Sequence, residues 1–320
     1  MIALTLLELF GGLVYLLFGA DLLVRGAVAL ARRANVPPAV VALTLVALGT
    51  SLPELVVTLQ AAITGYPGIA LGNVVGSNIA NVLLVGGGAA AIYPLAYAGG
   101  SIRRDSLLMI LATLFFVALC LMDFLGRGAG ILLLAGMAAV LIPSAREAAR
   151  SHRDAEGDPP LVAVLGLPTH RRMILLFLVA GVVGLPLGAE LVVSSAVDIA
   201  LRLGMTETAV GLTIIAFGTS LPEVATTAWA AFRRETEVAM GTIVGSNLFN
   251  VLGIMGVAAL VSPFPISVPE SFPILDLPVM LGASLALALF AWFRRPMGRV
   301  AGMLLLLSYV AYIVVLLSGT

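Results

Sequence analysis

The sequence predicts an all-α integral membrane protein with about ten transmembrane helices in two inverted-topology repeats of five. Three observations lead to this fold class. Hydrophobic residues make up 61% of the 320 residues and charged residues only 11%. A block of about 72 residues recurs with a shift of 169 positions. The arginines concentrate in loops that fall on one side of a ten-span arrangement.

Ten apolar stretches follow one another along the chain, and most are close to the roughly 20 residues that a helix needs to cross a bilayer. They cover residues 3–31, 38–63, 67–93, 106–122, 128–144, 172–201, 207–231, 237–262, 274–293 and 300–318. The only long polar segment separates the fifth stretch from the sixth. The predicted organisation is therefore a first repeat at 1–144, a polar loop at 145–171 and a second repeat at 172–320.

The duplication is visible without any gap. Residues 19–90 and 188–259 share roughly 32 identities, including two copies of Gly-Thr-Ser-Leu-Pro-Glu that end at Glu54 and Glu223. Gly-Ser-Asn followed three residues later by Asn also occurs in both halves, ending at Asn81 and Asn250. Gly19-Ala20-Asp21 likewise matches Gly188-Ala189-Glu190. Three polar motifs aligned in this way indicate an internal duplication, because chance similarity between apolar helices would not match them together.

The charge pattern predicts that the repeats are inverted. Five spans per half is an odd number, so the second half enters the membrane from the opposite side. Fourteen of the 17 arginines fall on one side of the arrangement, and only Arg127 and Arg202 fall in loops on the other. The positive-inside rule makes the Arg-rich side cytoplasmic and places both termini outside, as for a multi-pass protein of the plasma (inner) membrane.

Each Gly-Thr-Ser-Leu-Pro-Glu copy is costly inside an apolar helix, so it is a candidate functional site. In the first copy, Thr50 and Ser51 lie four and three residues before Glu54, on the same helical face. Pro53 has no N–H and frees backbone carbonyls near Ala47. Carboxylate, hydroxyl and carbonyl oxygens suit Na⁺ and Ca²⁺ better than thiophilic metals. The second copy supplies the same set: Ala216, Thr219, Ser220 and Glu223.

The third and eighth stretches add Ser77, Asn81, Ser246 and Asn250 to the candidate site. In each pair the serine and the asparagine are four residues apart and share a face. If the four segments meet at the midplane, the site holds two carboxylates, two amides and several hydroxyls. Two carboxylates balance one Ca²⁺, and their mutual repulsion predicts that protons or Na⁺ compete with it.

Other polar residues receive simpler interpretations. Asp21 and its counterpart Glu190 are expected to make helix-end or interhelical bonds, and Asp198 is expected to pair with Arg202 four residues later. Cys120 is expected to be a buried, inert thiol.

Nucleic acid is not an expected partner, because no basic run with interleaved aromatics occurs. There is no P-loop and no His-Glu-x-x-His motif, so an enzyme is not indicated.

The duplicated motifs resemble the alpha repeats of the cation/calcium exchanger superfamily, and most of all those of prokaryotic sodium/calcium exchangers. The resemblance implies antiport of Na⁺ against Ca²⁺ by alternating access, with net charge movement, without a cofactor and in a monomer embedded in lipid. It also implies that the first and sixth helices slide against the other eight. The implied ion ligands are Glu54, Glu223, Asn81, Asn250, Thr50, Thr219, Ser51, Ser220, Ser77, Ser246 and the carbonyls of Ala47 and Ala216.

One departure from the superfamily concerns Asn250, where some relatives, including potassium-dependent ones, carry Asp. An asparagine cannot ionise, which argues against K⁺ cotransport. An H⁺/Ca²⁺ antiporter, or one for another divalent cation, on the same scaffold remains the main alternative. A cation channel is a third hypothesis, but duplicated half-sites at the midplane fit an alternating-access transporter better than a continuous pore.

Overall fold

The computed structural model describes residues 2–96, 100–123, 125–154, 167–203 and 216–318, and these are nearly all helical. Ten helices, several of them broken, account for the predicted apolar stretches within this described part. They are α1 (Ile2–Ala34), α2 (Pro38–Thr50 and Leu52–Thr64), α3 (Pro67–Ile92), α4 (Gly100–Leu121), α5 (Arg127–Asp154), α6 (Arg171–Arg202), α7 (Ala216–Gly218 and Leu221–Phe232), α8 (Thr236–Val261), α9 (Asp276–Trp292) and α10 (Arg299–Ser318).

The lengths of these helices agree with a membrane protein. Six of the described helices are long and apolar enough to cross a bilayer, and the two segments of α2 form a seventh span bent by 50°. The apolar part of α5 and helix α9 are shorter. The prediction of an all-α membrane fold with about ten helices in two inverted repeats is confirmed.

The breaks in α2 and α7 follow from the local sequence. At Ser51 the backbone leaves the helical region, with φ −87° and ψ 13°, and a new helix starts at Leu52. Pro53 then stands in the first turn of that new helix, where its missing N–H costs nothing. Ser220, with φ −86° and ψ 2°, breaks α7 in the same way before Leu221. Each break thus places the motif glutamate in the first turn of a helix.

Helices α1 and α6 pack against each other antiparallel along their length. A Cβ added at Gly19 of α1 would lie 3.1 Å from the backbone nitrogen of Leu185, and one at Gly26 would lie 2.9 Å from the Leu178 side chain. In return, a Cβ at Gly181 of α6 would lie 2.6 Å from the Cβ of Leu23. Leucines of each helix therefore fit over glycines of the other, and the two helices are interlocked as a pair.

Helix α8 approaches the first segment of α2 equally closely. A Cβ at Gly241 would lie 2.8 Å from the Cβ of Ala42, and one at Gly245 would lie 2.7 Å from the Cβ of Ala47. This backbone-to-backbone contact joins the second repeat to the first motif of the first repeat.

Part of the predicted polar loop at 145–171 is helical. Helix α5 continues beyond its apolar part to Asp154. The continuation Ala145-Arg-Glu-Ala-Ala-Arg is rich in good helix formers, which allows the helix to extend beyond its apolar part. Residues 155–166 of this segment, and residues 204–215 of the predicted seventh stretch, lie outside the described residues.

Candidate ion-binding site

The two motif glutamates lie inside the protein at the breaks of α2 and α7. Glu54 is 1% exposed and Glu223 is 2% exposed. Each stands in the first turn of a helix, where the partial positive charge of the free N–H groups favours a carboxylate.

A direct hydrogen bond joins the two copies of the motif. Ser51 Oγ donates to Glu223 Oε1 over 2.8 Å, between residues 172 positions apart in sequence. Both side chains are buried. The inverted halves therefore bring their duplicated motifs together inside the protein.

The predicted asparagines stand where α3 and α8 depart from regular α-helix. Asn81 begins a π-helical turn, Asn81–Gly86, and Asn250 is the second residue of another, Phe249–Ile254. Such turns are frequent at functional sites because they free backbone groups and redirect side chains. Asn81 and Asn250 are 1% and 0% exposed.

Several buried oxygen atoms of these residues have no hydrogen-bond partner within the described part of the chain. They are Glu54 Oε2, Glu223 Oε2, Asn81 Oδ1, Asn250 Oδ1 and Ser246 Oγ. Leaving buried polar atoms unpaired costs free energy, and a bound cation would offset that cost. The unpaired atoms are hard oxygen donors from carboxylates, amides and a hydroxyl, which is the chemistry that Na⁺ and Ca²⁺ prefer.

The described residues contain no group of three or more His, Cys, Asp and Glu side chains arranged to hold a metal. The candidate donor set consists of two carboxylates supplemented by neutral oxygens. This composition fits a site that binds and releases a hard cation more readily than one that retains a transition metal.

The remaining predicted residues lie on the same four helices. Thr50 is fully buried, and its Oγ1 donates to the carbonyl oxygen of Ala47 over 3.3 Å. Ser77 is buried one turn before Asn81. Thr219 and Ser220 form the break of α7. Ala216 begins the short helical segment before that break, but its side chain lies outside the described residues.

The sequence-based site set missed Asn78 and Asn247, which belong to the duplicated Gly-Ser-Asn motif. Asn247 Oδ1 accepts a hydrogen bond from Asn81 Nδ2 over 3.2 Å. The amide groups of Asn247 and Asn78 donate to the sulfur atoms of Met109 and Met280, over 3.5 and 3.8 Å. The repeated motif itself was the signal that could have identified these two residues as supports of the site.

Asn73 was also missed, and it supports the first motif directly. Its Nδ2 donates to the Glu54 carbonyl oxygen over 3.1 Å and to Thr58 Oγ1 over 2.8 Å. The second repeat has Thr242 at the equivalent position, so a search restricted to identical residues does not detect it.

Predictions for polar residues outside the site are confirmed except for Glu190, which makes no bond to a described residue. Cys120 is buried. Arg202 pairs with Asp198 over 2.9 Å. Asp21 makes interhelical bonds, whereas its counterpart Glu190 is exposed.

Comparison with known proteins identifies the family. The family described as "Sodium/calcium exchanger protein" matches residues 4–144 and 173–318. The chain is 38% identical over 315 residues to the "Putative antiporter CaxA" of Alkalimonas amylolytica, covering 96% of this chain and 97% of that protein. It is 33% identical over 349 residues to the "Sodium/calcium exchanger MaX1" of Methanosarcina acetivorans, covering 99% of each.

A solved structure is similar over almost the whole chain. The sodium-calcium exchanger NCX_Mj, soaked with 10 mM Na⁺ and zero Ca²⁺, superimposes with a TM-score of 0.82 at 31% identity, covering 98% of this chain and 99% of that one. The fold, the duplicated site and these similarities agree. The chain belongs to the sodium/calcium exchanger family and is a multi-pass membrane antiporter of cations.

Proposed function

We propose that this protein exchanges Na⁺ for Ca²⁺ at a site formed by the two duplicated motifs. The hydrogen bond between Ser51 and Glu223 carries the proposal, because it joins the motif of one repeat to the motif of the other. The proposed ligands are the twelve predicted residues: Glu54, Glu223, Asn81, Asn250, Thr50, Thr219, Ser51, Ser220, Ser77, Ser246 and the carbonyls of Ala47 and Ala216.

The charge of the site supports exchange between these two ions. Two carboxylates neutralise one Ca²⁺, while neutral hydroxyl and amide oxygens suffice for additional Na⁺ ions. Exchange of three Na⁺ for one Ca²⁺ moves one net positive charge, so transport is electrogenic. Asn250 keeps the number of carboxylates at two, and the proposed exchange therefore does not need K⁺.

The helices around the site support alternating access. Val182 of α6 lies against the position of Gly49, where an added Cβ would be 2.7 Å from its Cγ2, and Val193 of the same helix contacts Gly218. One helix thus touches both motifs. A movement of the interlocked α1–α6 pair would expose one motif to solvent and shield the other. This is the motion expected of inverted repeats that open a shared site to each side of the membrane in turn.

The arginine distribution supports a definite orientation. In the proposed topology the loop at 145–171 is cytoplasmic, both termini are outside, and the protein resides in the plasma (inner) membrane. A monomer contains both motifs and is proposed to be the functional unit.

The deciding experiment is ⁴⁵Ca²⁺ uptake into proteoliposomes under separate ion gradients. We expect uptake to follow an outward Na⁺ gradient, to increase when the interior is made positive by a membrane potential, since three Na⁺ leave for each Ca²⁺ that enters, and to be unaffected by K⁺. Uptake that ignores the Na⁺ gradient and follows a pH gradient would identify an H⁺/Ca²⁺ antiporter instead. Uptake that needs no counter-ion gradient would identify a channel.

The ligand roles are tested by Glu54→Gln and Glu223→Gln. Each change keeps the size of the side chain but removes one of the two charges that balance Ca²⁺, so exchange should fall below detection. Glu270→Gln is the matched control, since Glu270 is exposed in a loop. Wild-type exchange by either site variant would overturn the proposed site.

A further inference from the structure

Asp21 of α1 makes a set of polar bonds to α7. Its Oδ1 accepts a hydrogen bond from Trp229 Nε1 over 2.9 Å and from Arg233 Nε over 2.8 Å. Arg233 Nη2 also lies 2.6 Å from the same oxygen. Its Oδ2 accepts from Arg25, one turn further along α1, over 2.8 Å. The carboxylate is mostly buried, with 14% of its side chain exposed.

These bonds differ from another polar bond of α1, which stays within the interlocked pair. Thr5 Oγ1 of α1 donates to Asp198 Oδ2 of α6 over 2.9 Å. Arg25 also lies over the ring of Phe177 of α6, at 5.1 Å from the centroid. A movement of the α1–α6 pair would preserve these two contacts. It would have to break the bonds from Asp21 to α7, because α7 lies outside the pair.

The inverted repeat gives this cluster a counterpart near the opposite end of the bundle. With the shift of 169 positions, Asp21 corresponds to Glu190 of α6, Trp229 to Gln60 and Arg233 to Thr64. Glu190 and Gln60 are exposed, and Glu190 makes no hydrogen bond or ion pair with any described residue. The acidic residue therefore makes interhelical bonds in the first repeat, as Asp21, and makes none to described residues in the second repeat, as Glu190.

We propose that Asp21, Trp229 and Arg233 form a latch that holds the pathway closed at the Arg-rich end, and that Glu190 with Gln60 forms the equivalent latch at the opposite end when the protein changes conformation. The proposal rests on the antiport proposed above, since only an alternating carrier needs two exclusive closures. Asp21 and Glu190 are positioning residues: they do not touch the transported ion, but set the side to which its site opens.

The chain offers a reporter for this closure. Thr227 lies one turn beyond Glu223 on the way to the Arg-rich end of α7, is fully buried, and has an unpartnered hydroxyl among the described residues. In a Cys120→Ala background, Thr227→Cys introduces a single thiol there. Arg172→Cys, at an exposed position in the first turn of α6, identifies the Arg-rich side of the vesicles.

The test measures how fast a membrane-impermeant thiol reagent, added from the Arg-rich side without Na⁺ or Ca²⁺, labels the Thr227→Cys thiol. Adding Asp21→Asn should accelerate labelling by about tenfold, the effect of losing charge-assisted hydrogen bonds. Arg233→Gln should do the same, and the double variant should add little, because both changes open one latch. Asp21→Glu should restore slow labelling at least in part, and Glu190→Gln should not accelerate it.

Equal labelling of the wild-type and Asp21→Asn reporters, both monodisperse in gel filtration, would overturn the latch. A purely structural role for Asp21 predicts less folded protein without a change in the accessible side. Labelling needs no ion flux, so this result is independent of which ion is exchanged. If Ca²⁺ uptake is driven by Na⁺ but the labelling rates are unchanged, the latch is refuted and the proposed exchange stands. If the labelling rates change as expected but uptake is not driven by Na⁺, the latch stands and the proposed coupling of Ca²⁺ transport to Na⁺ is refuted.

Discussion

Gly245 is the position at which a single methyl group should damage both stability and transport. It lies on α8 one residue before Ser246, where α8 touches the first segment of α2. A Cβ there would lie 2.7 Å from the Cβ of Ala47 and 2.8 Å from the Cα of Leu43, and would also contact the carbonyl oxygen of Leu43. These neighbours belong to the backbone or begin a side chain, so they cannot rotate away.

The size of the effect follows from two opposing contributions. Replacing a helical glycine by alanine favours the helix by about 1 kcal/mol. Overpacking of a tightly packed core costs about 1–3 kcal/mol, and contacts with backbone atoms place Gly245→Ala at the upper end or beyond. We expect a net loss of about 2 kcal/mol, which for a chain of this length corresponds to a fall in the melting temperature of about 3 °C.

The matched control is Gly88→Ala on α3, where no heavy atom outside the helix lies within 4 Å of the added Cβ. This change should leave the melting temperature unchanged or raise it slightly. Both variants are measured by thermal unfolding of the purified protein in detergent and by ⁴⁵Ca²⁺ uptake. Because Ala47 must move to accommodate the Gly245→Ala methyl, uptake should fall in that variant alone. Equal stability and equal uptake for the two variants would refute the close contact between α8 and α2.

Three further changes test other parts of the structure. Ser51→Ala removes the 2.8 Å hydrogen bond to Glu223, so the half-saturating Ca²⁺ concentration in uptake assays should rise about tenfold, as for the loss of a hydrogen bond to a charged group; an unchanged value would contradict a site shared by the two motifs. Asn250→Asp adds a third buried carboxyl group, so uptake should become more sensitive to low pH or to K⁺, and an unaltered pH and K⁺ profile would count against Asn250 as a ligand. Gly181→Val forces a branched side chain against Leu23, where even a Cβ would lie 2.6 Å from the Leu23 Cβ, so thermal unfolding in detergent should occur several degrees lower; wild-type stability would contradict the interlocking of α1 and α6.

The fold was predictable because its main signals are local. Apolar stretches near the thickness of a bilayer predict spanning helices, and a repeat shifted by 169 positions combined with one-sided arginines predicts inverted halves. The end of α5 was not predictable in the same way. The residues after Pro143 are polar enough for a loop but also favour a helix, and hydropathy does not distinguish between these two outcomes.

The residues of the candidate site could be proposed from the sequence, but the hydrogen bonds between them could not. Identity between the repeats selects Ser51 and Glu223 as polar residues of the same motif. It does not reveal that the serine of one repeat donates to the glutamate of the other, because that contact depends on how α2 and α7 cross. Asn73 is a further example, since its two hydrogen bonds join α3 to α2 but the second repeat carries Thr242 at the equivalent position, so identity between the repeats does not select it.

The two halves form different side-chain hydrogen bonds at positions where their sequences agree, and this difference bears on how the site opens to one side of the membrane. Asn81 Nδ2 donates to Asn247 Oδ1, but in the equivalent pair Asn250 Nδ2 and Asn78 Oδ1 both lack partners within the described residues. Asp21 and Glu190 show the same inequality at the ends of the bundle. Two halves with one sequence pattern and a common site can open to one side only by adopting unequal conformations. We therefore expect the opposite conformation to form the Asn250–Asn78 bond and to lose the Asn81–Asn247 bond, in step with the exchange of the two latches.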